Sequence, residues 1–275
     1  MLNEYPGGKV NFSQFSPRGT IRYEVTPTSN VYASVTKGFR GGGFNVTNSA
    51  LPPYKPETIT AYEVGFKGRP TEALTVGLAT FWYDYKDMQI LAYNNGVTIE
   101  KNAASSRSRG VELEASWQVT RAFALLGNLA YLDAKFVKFP GAQLFFPKAD
   151  GTGNTSVSNG DLSGAPMLRS PKWSGSGSAD LKVERIAGTF GAFATLEFSS
   201  SFGLEPTGLV RSGSFVRLDG SLSFAPAAVN GLRLIAWGRN LTNTTYLVTA
   251  NVSNLASAVV PNDPRTFGLR AEYSF

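Results

Sequence analysis

Side chains that alternate apolar and polar with a period of two constrain this chain more than any motif in it. From Thr266 onward, Phe267, Leu269, Ala271, Tyr273 and Phe275 share one face of an extended segment, while Thr266, Gly268, Arg270, Glu272 and Ser274 share the other. Only a β-strand places successive side chains on opposite faces. The same split recurs in Val111, Leu113, Ala115 and Trp117 against Glu112, Glu114 and Ser116, and in Val216, Leu218, Leu222 and Phe224 against Arg217, Asp219, Ser221 and Ser223. It returns over 173–183, where Gly175 and Gly177 dilute the apolar face, and more loosely over 20–25, 31–40 and 190–198. Two stretches, 74–91 and 122–136, are apolar on both faces for part of their length, which leaves their facing open.

This pattern predicts eleven strands, at 15–26, 29–40, 57–68, 73–91, 107–119, 122–137, 171–184, 188–202, 214–225, 231–241 and 265–275. Their connections alternate in length. Tight ones, such as Pro27-Thr28-Ser29, Arg69-Pro70-Thr71-Glu72 and Thr120-Arg121, interleave with long polar ones at 41–56, 92–106, 138–170, 203–213 and 242–264. The expected fold class is therefore all-β, an antiparallel meander with tight turns at one end and long loops at the other. Outer-membrane barrels have this layout.

Composition removes most chemistry. The chain has no His and no Cys, which excludes imidazole triads, thiolate nucleophiles, disulfides and the common zinc and iron–sulfur sites, so neither an enzyme nor a cofactor is expected. Its net charge of +6 is spread over only 17% charged residues, too dilute for a nucleic-acid partner. No apolar run reaches the length of a membrane helix, and Met1 to Ser16 has no apolar core of the signal-peptide kind. In their place stand 19 Phe, 11 Tyr, 4 Trp and 29 Gly.

Alternation alone does not separate a lipid-facing barrel from a soluble sandwich, because both pair one apolar face with one polar face. Aromatics near strand ends (Phe39, Trp117, Trp173, Phe224, Tyr273, Phe275) fit interfacial girdles, and the long connections are unusual for a compact soluble β domain. Both favour the transmembrane barrel. Single-chain bacterial barrels close with an even strand number, so eleven strands suggest half of a 22-stranded barrel, the number found in plugged transporters.

The chain resembles the C-terminal half of TonB-dependent outer-membrane receptors. The resemblance rests on Val31 to Arg40 followed by Gly41-Gly42-Gly43-Phe44-Asn45, on Pro56-Glu57-Thr58 with Tyr62-Glu63-Val64-Gly65, and on Phe81-Trp82-Tyr83-Asp84-Tyr85-Lys86-Asp87. Ser108-Arg109-Gly110-Val111-Glu112 adds to it, as do Gly238-Arg239-Asn240-Leu241-Thr242-Asn243 and the run from Pro264 to the terminal Phe275. It implies that residues 1–275 are the later part of a barrel domain, with plug domain and TonB box outside this chain. It also implies residence in the outer membrane of a Gram-negative bacterium, and lipid, a small ligand such as a ferric siderophore and the TonB complex as partners. Two other readings stay open: a small passive outer-membrane barrel, and a secreted carbohydrate-binding sandwich in which Trp82 and Trp237 form a sugar platform.

Candidate ligand contacts follow. Arg40 ends a strand beside the glycine run and could offer its guanidinium to an anionic ligand, with Phe44 and Tyr54 stacking on a ring; the commoner fate is pairing with loop carboxylates. Trp82 and Asp84, the latter with Lys86, could reach a ligand from the lumen wall, or Asp84 and Lys86 could form a simple ion pair there. Glu112 and Glu114 share a face and are expected to meet basic residues of a plug.

Overall fold

A computed structural model describes residues 9–45, 51–94 and 97–275. In chain order its strands are β1 (Arg18–Thr26), β2 (Ser29–Arg40), β3 (Glu57–Thr71), β4 (Leu74–Asn94), β5 (Val97–Thr120), β6 (Phe123–Lys138), β7 (Pro140–Pro147), β8 (Asn154–Asp161), β9 (Trp173–Arg185) and β10 (Gly188–Ser199). They continue with β11 (Phe202–Gly203), β12 (Arg211–Ser212), β13 (Phe215–Pro226), β14 (Leu232–Arg239), β15 (Leu247–Val252), β16 (Ser257–Pro261) and β17 (Thr266–Tyr273). Eleven of them form one antiparallel sheet in the order β1-β2-β3-β4-β5-β6-β9-β10-β13-β14-β17. Setting aside β7–β8, β11–β12 and β15–β16, which are small hairpins inside the long connections, each strand pairs with its predecessor. All eleven predicted strands are present, and β1 and β17 stand at opposite edges.

One expected loop is not a loop. The stretch 92–106 is mostly strand, because β4 and β5 stay paired up to Asn94↔Val97 and rise as a tall hairpin. The register slips between Tyr85 and Met88, where Asp87 takes a left-handed φ of 54°. Residues of β4 above the slip therefore change sides: Met88 and Ile90 turn inward onto a buried cluster of Ala104, Phe136, Phe139, Ala142 and Leu162. Phe139, Ala142 and Leu162 of that cluster come from the 139–172 connection, whose Ala165 carbonyl accepts from the Phe136 N–H at 2.9 Å.

Antiparallel partners directly opposite one another lie on one face, so the register carries facing across the sheet. One face runs through Val64, Thr80, Val111, Tyr131 and Trp173, and one row lower through Phe66, Leu78, Leu113, Leu129, Gly175, Phe198 and Val216. The other carries Tyr32, Glu63, Glu112, Asn128, Ser176, Glu197, Arg217 and Arg270. Among the described residues no second layer covers the apolar face: Ile21, Leu222, Phe267 and Leu269 are 65–86% exposed. A sandwich would need a second large sheet packed there. The carbohydrate-platform reading fails on the same register, which puts Trp82 on the apolar face and Trp237, opposite Ser221 and Gly268, on the polar one.

Candidate ligand site at the long-loop end

Arg40, Asn45, Tyr54 and Glu100 meet where β2 ends below the raised β4–β5 hairpin. The glycine run lets the chain turn across its neighbours there: a Cβ on Gly42 would collide with the Tyr54 carbonyl oxygen and the Phe12 ring. Gly43 and Tyr54 then exchange both backbone hydrogen bonds, at 2.9 and 3.1 Å. Polar side chains stitch this loop to the hairpin. Asn102 Nδ2 donates to the carbonyls of Lys55 (2.8 Å) and Asp87 (2.7 Å), and its Oδ1 accepts from the Lys55 N–H at 2.6 Å. Gln89 Nε2 donates to the Gly41 carbonyl at 2.8 Å, while its N–H donates to Glu57 Oε2 at 2.7 Å.

Arg40 pairs with Glu100, Nη2 to Oε1 at 2.9 Å, with the guanidinium side chain 60% exposed and the carboxylate 25%. Arg40 is thus paired with a carboxylate, but one that stands on β5 and not in a loop. Glu100 also accepts the Tyr54 hydroxyl, which pushes that phenol above its ordinary pKa of 10.0. Phe44 is half-buried in the same loop. Arg40, Phe44 and Tyr54 lie together at this end of the sheet, and Glu57, Gln89, Glu100 and Asn102 join them with no local mark in the sequence, because the pairing that brings them in spans up to 60 positions.

Trp82 and Asp84 belong elsewhere. Tyr83 and Tyr85, not Asp84 and Lys86, share the polar face with Glu63 and Ala61, so the expected lumen position of Asp84 and Lys86 is corrected by one residue of register. The uncertainty of facing in 74–91 resolves only through neighbouring strands. Trp82 Nε1 donates to Asp84 Oδ2 at 2.8 Å, Arg107 Nε donates to Asp84 Oδ1 at 2.8 Å, and the Arg107 guanidinium lies 4.7 Å from the Trp82 ring centre.

The polar face supplies further groups below the mouth. Tyr32 donates to Glu63 at 2.6 Å, and Tyr83 donates to the other oxygen of Glu63 at 3.4 Å. Arg217 reaches Glu197 at 2.8 Å, Asp219 at 3.5 Å and the Tyr246 hydroxyl at 3.2 Å, while Tyr246 stacks on Phe215 with ring centres 3.8 Å apart. Glu112 and Glu114 lie on this face opposite small or polar partners: Ala79 and Ala130 for the first, Gly77 and Asn128 for the second. An open cavity of about 830 Å³ lies between Arg217, Asp219, Arg239, Tyr246 and Asn262. Carboxylates, guanidinium groups and phenols in a wet groove bind and orient polar solutes.

A family model described as TonB dependent receptor-like, beta-barrel, matches residues 3–255. The pesticin receptor of Yersinia enterocolitica is 22% identical over 271 residues, which is 98% of this chain and 37% of that protein. The metal-pseudopaline receptor CntO of Pseudomonas aeruginosa is 31% identical over 128 residues, 45% of this chain and 17% of that one. In structure, the ferric yersiniabactin uptake receptor FyuA from Yersinia pestis superposes with a TM-score of 0.77 at 22% identity, covering 98% of this chain and 38% of FyuA. The ferripyoverdine receptor of the outer membrane of Pseudomonas aeruginosa gives 0.67 at 16% identity, covering 96% and 33%. The chain thus spans little more than a third of the pesticin receptor and of FyuA.

Proposed function

The chain belongs to the TonB-dependent receptor β-barrel family, and on that premise we propose that it forms the later strands of an outer-membrane importer that takes up a scarce chelated metal, a ferric siderophore being the leading class. The family match over residues 3–255 carries this reading. The bare apolar face supports it, since apolar side chains that stay exposed in water lose the stabilisation that burial or lipid contact supplies. The polar face then lines a lumen, the tight turns lie on the periplasmic side and the Arg40–Tyr54–Glu100 mouth opens outward. In this arrangement the mouth and the Arg217–Tyr246 groove are where a polar chelate meets the barrel wall, and a plug and the TonB complex supply gating and energy.

Uptake by intact cells tests the proposal. Deleting the gene is expected to abolish accumulation of radioactive iron supplied as one of a panel of ferric siderophores, and replacing it restores accumulation only while the inner membrane is energised. Uptake that persists after the proton gradient is collapsed would return the protein to the class of passive barrels.

A further inference from the structure

The apolar face changes character at one height. In the four register rows that begin at Val64–Thr80–Val111–Tyr131–Trp173 and descend to Leu74–Trp117–Leu125–Ala179–Ala194, no side chain is charged. The row above reads Val35–Tyr62–Trp82–Arg109–Asp133, and the next Lys37–Thr60–Asp84–Arg107–Lys135, with Lys86 opposite Thr58 one step higher. Five cations and two carboxylates therefore sit together on the outward side of five adjacent strands, with Tyr62 and Trp82 in the lower of the two charged rows and Tyr131 and Trp173 in the uncharged row just beneath.

The cluster is built, not scattered. Arg107 and Arg109 lie 4.7 and 5.5 Å from the Trp82 ring centre, and Asp84 and Asp133 fix them through contacts of 2.8 and 2.9 Å. An open groove of about 740 Å³ runs beside them, lined among others by Thr60, Tyr62, Asp84, Lys86, Arg107 and Lys138. If the apolar rows face acyl chains, as the membrane reading above requires, this height is that of the lipid headgroups on the long-loop side. Charge is tolerated there, and arginine on an aromatic platform suits a phosphate.

We propose that this outward row binds a phosphate of an outer-leaflet lipid headgroup, with the acyl chains lying on the uncharged rows beneath. The proposal rests on the membrane reading and goes beyond it, because the site faces away from the lumen.

The test uses the protein as the cell makes it, purified in detergent. It is mixed with bisphosphorylated lipid A, or with the same lipid after dephosphorylation, and retained lipid is counted by native mass spectrometry after gel filtration. Preference for the phosphorylated form by about tenfold is expected, and R107Q/R109Q should remove it. Equal retention of both lipids, or equal preference in wild type and variant, overturns the proposal. Inorganic phosphate at matched concentration is expected to displace little; complete displacement would reduce the row to a free-anion site and defeat the lipid assignment. K37Q/K135Q leaves the Trp82 platform whole and should lower the preference partially, so a misfolded arginine variant does not end the test. Protein that cannot be inserted into lipid vesicles sinks the membrane reading as well, whereas inserted protein without the preference sinks this proposal alone.

Discussion

Asn45 and Glu100, 55 positions apart in the chain, hold each other through a reciprocal pair: the Asn45 amide donates to the Glu100 carbonyl at 2.9 Å, and the Glu100 N–H donates to Asn45 Oδ1 at 2.6 Å. A side chain here does what a neighbouring strand would do, satisfying an edge N–H and C=O of β5. Asn45→Ala is expected to cost about 2 kcal/mol and to speed amide hydrogen exchange at Glu100. Unchanged exchange would show that the loop is held without this pair.

The Tyr54 phenol, raised above 10.0 by its bond to Glu100, gives the mouth a pH dependence. A raised folded-state pKa means that the contribution of this contact is fully present below pH 10 and is lost only as the pH climbs through the shifted value. Tyrosinate absorbance of wild type minus Tyr54→Phe should therefore appear later than that of ordinary tyrosines, and Glu100→Gln should bring it back down. Titration of Tyr54 at or below its ordinary value would sink the assignment.

Arg217 is the cation between Glu197 and Asp219 on the polar face. Arg217→Ala leaves those carboxylates facing each other and lets go of Tyr246, at a cost of about 1–2 kcal/mol. Melting in detergent should fall, and adding Glu197→Gln should recover part of the loss. If the double variant melts no higher than the single one, charge repulsion is not the cause.

Asn240 combines a left-handed backbone, φ 50°, with near-complete burial. Its amide donates to the carbonyls of Thr244 and Asp263 at 3.0 Å each, its Oδ1 accepts from the Thr244 N–H at 3.0 Å, and its own N–H donates to Asp219 at 2.7 Å. Asn240→Ala loses the amide bonds and keeps the strain, whereas Asn240→Gly relieves the strain; the expected losses are about 3 and about 2 kcal/mol. Equal melting temperatures for the two would mean that backbone conformation contributes nothing at this corner.

The strands were legible because alternation is local: five or six residues such as Val111 to Trp117 declare their own faces. The facing of 74–91 was not, because Phe81, Trp82, Tyr83 and Tyr85 offer aromatic surface to both sides, and only pairing with Glu63 and Arg109 decides which ring meets which environment. The loop hairpins β7–β8 and β15–β16 escaped for a related reason. Asn154 to Asp161 is too polar to show a period, Leu247 to Val252 and Ser257 to Pro261 are only six and five residues long, and the hairpins are held by backbone pairing and by contacts such as Asn154 to the Ser253 carbonyl, 99 positions away. At the mouth, Arg40, Phe44 and Tyr54 could be found from the glycine run beside them, but Glu100 and Asn102 carry no local mark.

The left-handed residue Asp87 makes the tall hairpin modular. An inserted or deleted residue in a paired strand swaps inside for outside along all that follows, yet here such a swap is already present and confined to one joint, where the register shifts twice between Tyr85 and Gln89. The tip above that joint keeps its own parity, so its sequence and length are open to exchange without disturbing the frame in which the strands below meet their surroundings.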